Sequence, residues 1–168
     1  MTPENELPGE GDFFTTEEVY AIAALVNEKL SSITYHYWVN KASNEVFEVL
    51  DWITLQFESG NSITLTGGLD SDGIKLVNPD FSAEQKRLEA EFDGKVTIAT
   101  RDASKHKIWK ECIGQEFTPS LVKYEGRILN DSIALKFPGA DDVIIFLGLE
   151  GLEVDYYEED ETEHIDLK

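Results

Sequence analysis

The stretch Trp52–Ile53–Thr54–Leu55–Gln56–Phe57, followed by Glu58–Ser59–Gly60–Asn61 and Ser62–Ile63–Thr64–Leu65–Thr66, decides how this chain is read. Ile53, Leu55 and Phe57 alternate with Trp52, Thr54 and Gln56, and Ile63 and Leu65 alternate with Ser62, Thr64 and Thr66. A period of two belongs to strands that show one face to a core, and the Gly-containing run between them is a turn. Eighty residues later the pattern returns without a gap: Ser132–Ile133–Ala134–Leu135–Lys136–Phe137, a turn at Pro138–Gly139–Ala140–Asp141, then Asp142–Val143–Ile144–Ile145–Phe146. A third segment follows each copy, Gly73–Ile74–Lys75–Leu76–Val77 and Gly151–Leu152–Glu153–Val154–Asp155.

Upstream of the first copy, Thr15 or Thr16 caps a helix expected to run to about Ser31, with Val19, Ile22, Ala23, Val26 and Leu30 as its apolar stripe. Strands are expected at Ile33–Val39 and Glu45–Leu50, joined by the turn Asn40–Ser43. After Asn78–Pro79, the spacing of Ser82 and Gln85 opens a short helix to about Phe92, Asp93–Gly94 ends it, and Lys95–Thr100 makes a strand. A further helix is expected over Ala103–Ile113, with strands at Leu121–Tyr124 and Arg127–Leu129. Leu25–Leu30 aligns with Cys112–Phe117, so each copy reads as a helix followed by an antiparallel meander. The chain divides into a disordered acidic leader (1–14, with Phe13 and Phe14 tucked onto the body), a first repeat (15–79), a connecting helix and strand (80–102), a second repeat (103–157) and a disordered acidic tail (158–168). The expected class is α+β, with two pseudo-repeated helix-plus-meander units on a shared core.

The copies differ on their outward faces. Thr64 and Thr66 in the first correspond to Ile144 and Phe146 in the second. Strands apolar on both sides are usually buried on both, so the second copy's outer face is expected to be covered by a helix, by the other copy or by a second subunit. The first copy's outer face is expected to stay open and polar apart from Trp38 and Trp52.

With 34 acidic against 14 basic residues the formal net charge is −20. Setting aside the ends before Phe13 and after Tyr157 leaves 24 acids against 13 bases, so the body alone carries about −11. Such a field repels nucleic acid and anionic membranes and attracts basic partners. The single Cys112 excludes an intramolecular disulfide and any multi-cysteine metal site. Residues 1–12 have neither the basic nor the apolar region of a signal peptide, and the expected compartment is the cytoplasm. The sequon Asn130–Asp131–Ser132 is accordingly read as chance.

No catalytic pattern emerges from the residue types. His36, His106 and His164 lack partners at ligand spacing, and Cys112 sits on the apolar side of its helix, where a thiol is inert. Asp70–Ser71–Asp72–Gly73 lacks the bidentate Glu of a calcium loop, and Gly67–Gly68 is followed by a strand where a phosphate loop needs a helix. No cofactor or metal is expected. Two features point to a partner. His36, Trp38, Trp52, Thr54 and Gln56 share the first copy's outer face, an aromatic set among polar residues as in protein interfaces; the alternative is that the N-terminal helix covers this face and the tryptophans are core. Glu158, Glu159, Asp160 and Glu161 form a polyanionic run suited to a basic partner, or to Arg101, Lys105, Lys107 and Lys110 of the same chain.

The strand–turn–strand pattern, with the link Gly114–Gln115–Glu116–Phe117–Thr118, resembles small bacterial β-rich proteins that include immunity proteins of polymorphic toxin systems. The resemblance spans both copies and carries no site residues across. It implies a cytoplasmic, non-enzymatic interaction protein, an acidic immunity-like inhibitor of a basic protein. The alternative is a small-ligand-binding β module with its pocket between the two repeats. A homo-oligomer through the Ile144/Phe146 face is a further expectation.

Overall fold

The computed structural model describes residues 10–42, 45–67, 73–157 and 164–166, Glu10 and His164–Asp166 by their backbone alone. The expectations for the leader 1–9, for Asp70–Asp72 and for Glu158, Glu159, Asp160 and Glu161 lie outside these residues. The class is α+β, with two antiparallel sheets and few helices.

Five strands build the first sheet: β1 (Leu30–Asn40), β2 (Phe47–Phe57), β3 (Ser62–Thr66), β4 (Lys75–Val77) and β5 (Val96–Asp102), in the order β4-β3-β2-β1-β5. The second contains β6 (Thr118–Tyr124), β8 (Ser132–Lys136), β9 (Val143–Leu147), β10 (Leu152–Tyr156) and β11 (His164–Asp166), in the order β10-β9-β8-β6-β11. The short β7 (Arg127–Ile128) pairs back on β6 through a turn in which Glu125 and Gly126 both have positive φ, the geometry that matches the twist of a hairpin. The registers run in parallel. Ile53 faces Leu65 and Leu55 faces Ile63; eighty residues on, Ile133 faces Ile145 and Leu135 faces Val143. Leu65 faces Leu76 as Ile145 faces Val154, and Tyr35 faces Arg101 as Leu121 faces Ile165.

The inward residues of both sheets belong to one buried cluster. Ile33, Tyr35, Ile53, Leu55 and Leu65 come from the first sheet; Leu121, Ile133, Leu135, Val143 and Ile145 come from the second. Phe57, Phe117 and Phe137 form a chain of rings with centroids 5.5 and 6.3 Å apart. From α3 (Lys107–Lys110), the fully buried Trp109 donates its Nε1–H to the Tyr35 hydroxyl at 2.5 Å. Burial raises the Tyr35 pKa to about 12, so the phenol stays protonated and available to that bond.

Local chemistry and tertiary pairing compete at the element ends. In α1 (Thr16–Ala23) Thr15 Oγ1 accepts the Glu18 N–H and Glu18 Oε1 accepts the Thr15 N–H, a complete capping box. The helix stops well short of Ser31. Asn27 turns to φ 70, its N–H donates to Phe117 O, and the Leu30 N–H donates to Gln115 O. The chain there exchanges helical bonds for pairing with the Gly114–Phe117 link. The same link shortens α3 to Lys107–Lys110, because the Gly114 N–H turns to Leu30 O. Strands expected separately at Glu45–Leu50 and Trp52–Phe57 are one strand, β2, interrupted by a bulge. His36 faces Trp52 but Tyr37 faces Leu50, which leaves Asp51 without an opposite residue in β1.

The ends of the chain differ from expectation as well. Phe13 and Phe14 are buried, and the Phe14 N–H donates to Ile128 O. His164–Asp166, expected within a disordered tail, pair with Val122–Ser120 and supply the strand that β6 would otherwise lack on that side. Asn130, the sequon residue, is 2 % exposed and therefore structural. Its N–H donates to Asp12 O, its O accepts the Ile74 N–H, and its Nδ2 donates to Gly11 O at 2.9 Å. Gly73 packs so closely that a Cβ there would collide with the Asn130 side chain. One asparagine thus joins the N-terminal segment, the start of β4 and the approach to β8. Asn130→Ala removes the bond from the buried Asn130 side chain to Gly11 O, and a loss of ~0.5–1.5 kcal/mol is expected in denaturant unfolding. An unchanged midpoint would show that this junction bears no weight.

Candidate functional site

The candidate site lies on the outer face of the first sheet, and helix α2 (Phe81–Phe92) shapes it. The helix starts at Asp80, whose Oδ1 accepts the Ala83 N–H at 3.1 Å, rather than at Ser82. Gln85, expected as the partner of Ser82 in a cap, instead accepts the Ile98 N–H at 2.7 Å and so ties the helix to the edge strand β5. At the other end Asp93 adopts φ 53 and the Gly94 N–H returns to Glu89 O, closing the helix where expected. The apolar residues Phe81, Leu88 and Phe92 face the sheet's own aromatics. Leu88 is fully buried; Phe81 stacks on His36 at 3.9 Å and meets Trp52 edge-on at 5.5 Å; Phe92 meets Trp38 edge-on at 6.0 Å.

This overturns the expectation of an open outer wall on the first sheet. His36 and Trp52 are each only 7 % exposed, covered by the connecting helix. On the second sheet's outer face Ile144 and Phe146 are half-buried, while Ser120 and Ala134, in register with Ile144, are buried. The links differ in length: between β4 and β5 the chain has residues 78–95, enough for α2, whereas between β10 and β11 it has 157–163, fewer than α2 alone.

The polar members of the predicted set lie beyond the helix. Thr54 is half-buried, with its Oγ1 2.9 Å from Thr64 Oγ1 and 3.4 Å from His36 Nε2. His36 Nδ1 lies 2.9 Å from Thr100 Oγ1, so the imidazole is held between two hydroxyls under the Phe81 ring. Gln56 is exposed and its Oε1 accepts from Ser32 Oγ at 2.9 Å. Arg101, named above as a landing point for the acidic tail, makes a two-point ion pair with Glu48 at 2.7 and 3.0 Å and sits over the Tyr37 ring.

Where the helix leaves the sheet uncovered, a cleft of about 320 Å³ opens. Trp38 and Trp52 line it, together with Asp51 from the bulge, Thr66 at the end of β3, residues 77–79 at the end of β4 and just beyond it, and Glu84 and Arg87 from α2. Asp51 and Thr66 are 5 % and 8 % exposed, whereas Arg87 is half-exposed between Glu84 at 3.0 Å and Glu91 at 2.6 Å. Sequence reasoning found the two tryptophans and missed the other seven lining residues. The one available signal for Asp51 is the break in alternation at Leu50–Asp51–Trp52, where the sequence places a gap between two strands and the structure has a bulge.

A second cleft, of about 370 Å³, lies beside α3 and includes Lys107, Glu111, Asp141 and Cys112. Burial, then Asp141, Asp142 and Glu111, raise the Cys112 thiol to about 11, and its Sγ approaches Ile108 O at 3.6 Å. A thiol so held is protonated and unreactive at neutral pH. Among the described residues no three His, Cys, Asp or Glu side chains gather closely enough to hold a metal ion. No helix among them is long and apolar enough to cross a membrane. A scan against protein-family models, a search of curated proteins and a search of solved structures each found no match.

Burial lowers the His36 pKa below its ordinary 6.5. The unfolded chain therefore binds the proton more readily than the folded one, and the stability held by the neutral ring declines as pH falls through and below about 6.5. Wild type measured against His36→Gln is expected to lose relative stability between pH 7 and pH 5 in thermal melts. A difference constant with pH would contradict this burial of the neutral imidazole.

Proposed function

We propose that the protein is a non-enzymatic, cytoplasmic interaction protein that binds a basic protein partner as an immunity-like inhibitor. The observation that carries this reading is the excess of 34 acids over 14 bases. Most of that excess sits on the folded body rather than on its ends. A field of this sign accelerates encounter with a positively charged protein and disfavours nucleic acid. The Trp38–Trp52 cleft supplies what charge alone lacks, a place where contacts can be specific, and the exposed rings Phe47 and Phe92 flank the Trp38 side of the same sheet.

We also propose that the two sheets descend from one duplicated unit. The constant eighty-residue displacement of the β2–β3 and β8–β9 pairings supports this, as does the same strand order in both sheets. On that view the second unit kept the strands and lost the covering helix. The Ile144/Phe146 face is then the candidate for self-association.

The second reading is a small-ligand-binding module, favoured by the same 320 Å³ cleft. That cleft lies between the first sheet and α2, not between the two units. A thermal-shift screen separates the readings, since a ligand module rises in Tm with a small molecule and an inhibitor does so only with its protein partner.

Capture from lysate followed by reconstitution with the purified protein is expected to yield a one-to-one complex with a basic partner. Its association rate is expected to fall at least about tenfold between 50 and 500 mM salt. A partner bound at a salt-independent rate, or no stoichiometric partner, would contradict the proposal.

A further inference from the structure

Building on the reading of the protein as a binder of basic partners, the geometry points to the Trp38–Trp52 cleft as the pocket that anchors one lysine or arginine side chain of that partner. The bulge at Asp51 places a carboxylate beside Trp52 in the wall of the cleft, and Glu84 supplies a second from the helix. Indole rings attract cations through their negative faces, and the aliphatic stem of a lysine or arginine packs against the same rings. A carboxylate has acceptor sites for several donors, so Asp51 can receive an incoming N–H beside the bonds it makes within the fold.

The alternatives fit less well. An anionic group would enter against Asp51, Glu84 and the field of the whole chain. An apolar anchor would pack on the rings but would bring no donor to the acceptor sites of Asp51 and Glu84. The one cation already there, Arg87, is drawn along the helix by Glu84 and Glu91, at 3.0 and 2.6 Å, and is half-exposed. The volume of about 320 Å³ accommodates a long side chain together with its flanking backbone.

The chain's three tryptophans provide the test. Trp109, fully buried and bonded to Tyr35, is an internal control for Trp38 and Trp52. The ¹⁵N-labelled protein is titrated with a nine-residue peptide of alternating arginine and glycine, and separately with its glutamate–glycine counterpart. The arginine peptide is expected to move the Trp38 and Trp52 indole signals and leave Trp109 in place, and to do so still at 0.3 M salt, where attraction between exposed charges is screened. Glu84→Gln is expected to weaken binding about five- to tenfold, the loss of one charge-assisted bond, while Glu125→Gln on the β6–β7 turn leaves it unchanged. An unmoved Trp109 signal reports that each variant is folded. If the peptide binds while the Trp38 and Trp52 signals stay still, or if both variants weaken it equally, the anchor pocket is wrong and the basic-partner reading stands. Absence of binding even at 20 mM salt overturns both.

Discussion

The sealing of two antiparallel sheets against each other, face to inner face, governs the rest of this molecule. Neither sheet can leave Ile53 and Leu55, or Ile133 and Leu135, in water without losing roughly 1.5–3 kcal/mol for each such side chain. The ring chain Phe57–Phe117–Phe137 and the Trp109–Tyr35 bond fix how the sheets meet. The links then have no freedom to follow local preference. Asn27–Leu30 and Gly114–Phe117 pair with each other where the sheets join, and both neighbouring helices are cut short as a result.

Because the inner faces are buried, only the outer ones remain open to other molecules, and there the two sheets differ. The long link after β4 folds as α2 and closes over His36 and Trp52, but it leans toward β5, to which Gln85 binds it. That lean leaves the β2 side open as the Trp38–Trp52 cleft. The Gln85 bond to β5 and the packing of Phe81, Leu88 and Phe92 together seat the helix beside the cleft. One of its two carboxylates, Asp51, comes from a strand bulge, a place where one extra residue re-aims side chains without ending the sheet.

Much of this was legible in the sequence. Alternation of Ile53, Leu55 and Phe57, repeated at Ile133, Leu135 and Phe137, located the central strands and their inward faces. Thr15 marked the start of α1, and Asp93–Gly94 marked the end of α2. What could not be read was set at a distance. Helical spacing through Val26 and Leu30 was sound locally and lost to pairing with a segment about ninety residues away. The helix ending near Phe92 was legible but not the sheet it lies on, so α2 was not foreseen as the cover over His36 and Trp52. Of the cleft, Trp38 and Trp52 were visible as outward aromatics. Asp51, Thr66, Glu84 and Arg87 come together only through the bulge and the seating of the helix. The acids Glu158, Glu159, Asp160 and Glu161 lie outside the described residues.

If one shared core holds both sheets, neither should open without the other. Native-state hydrogen exchange at Ile53 and Leu55 on β2 and at Ile133 and Leu135 on β8 measures this directly. The account predicts that these amides exchange only through the same global opening, with equal free energies and equal sensitivity to denaturant. Exchange of one sheet at a distinctly lower free energy, while the other stays protected, would contradict it.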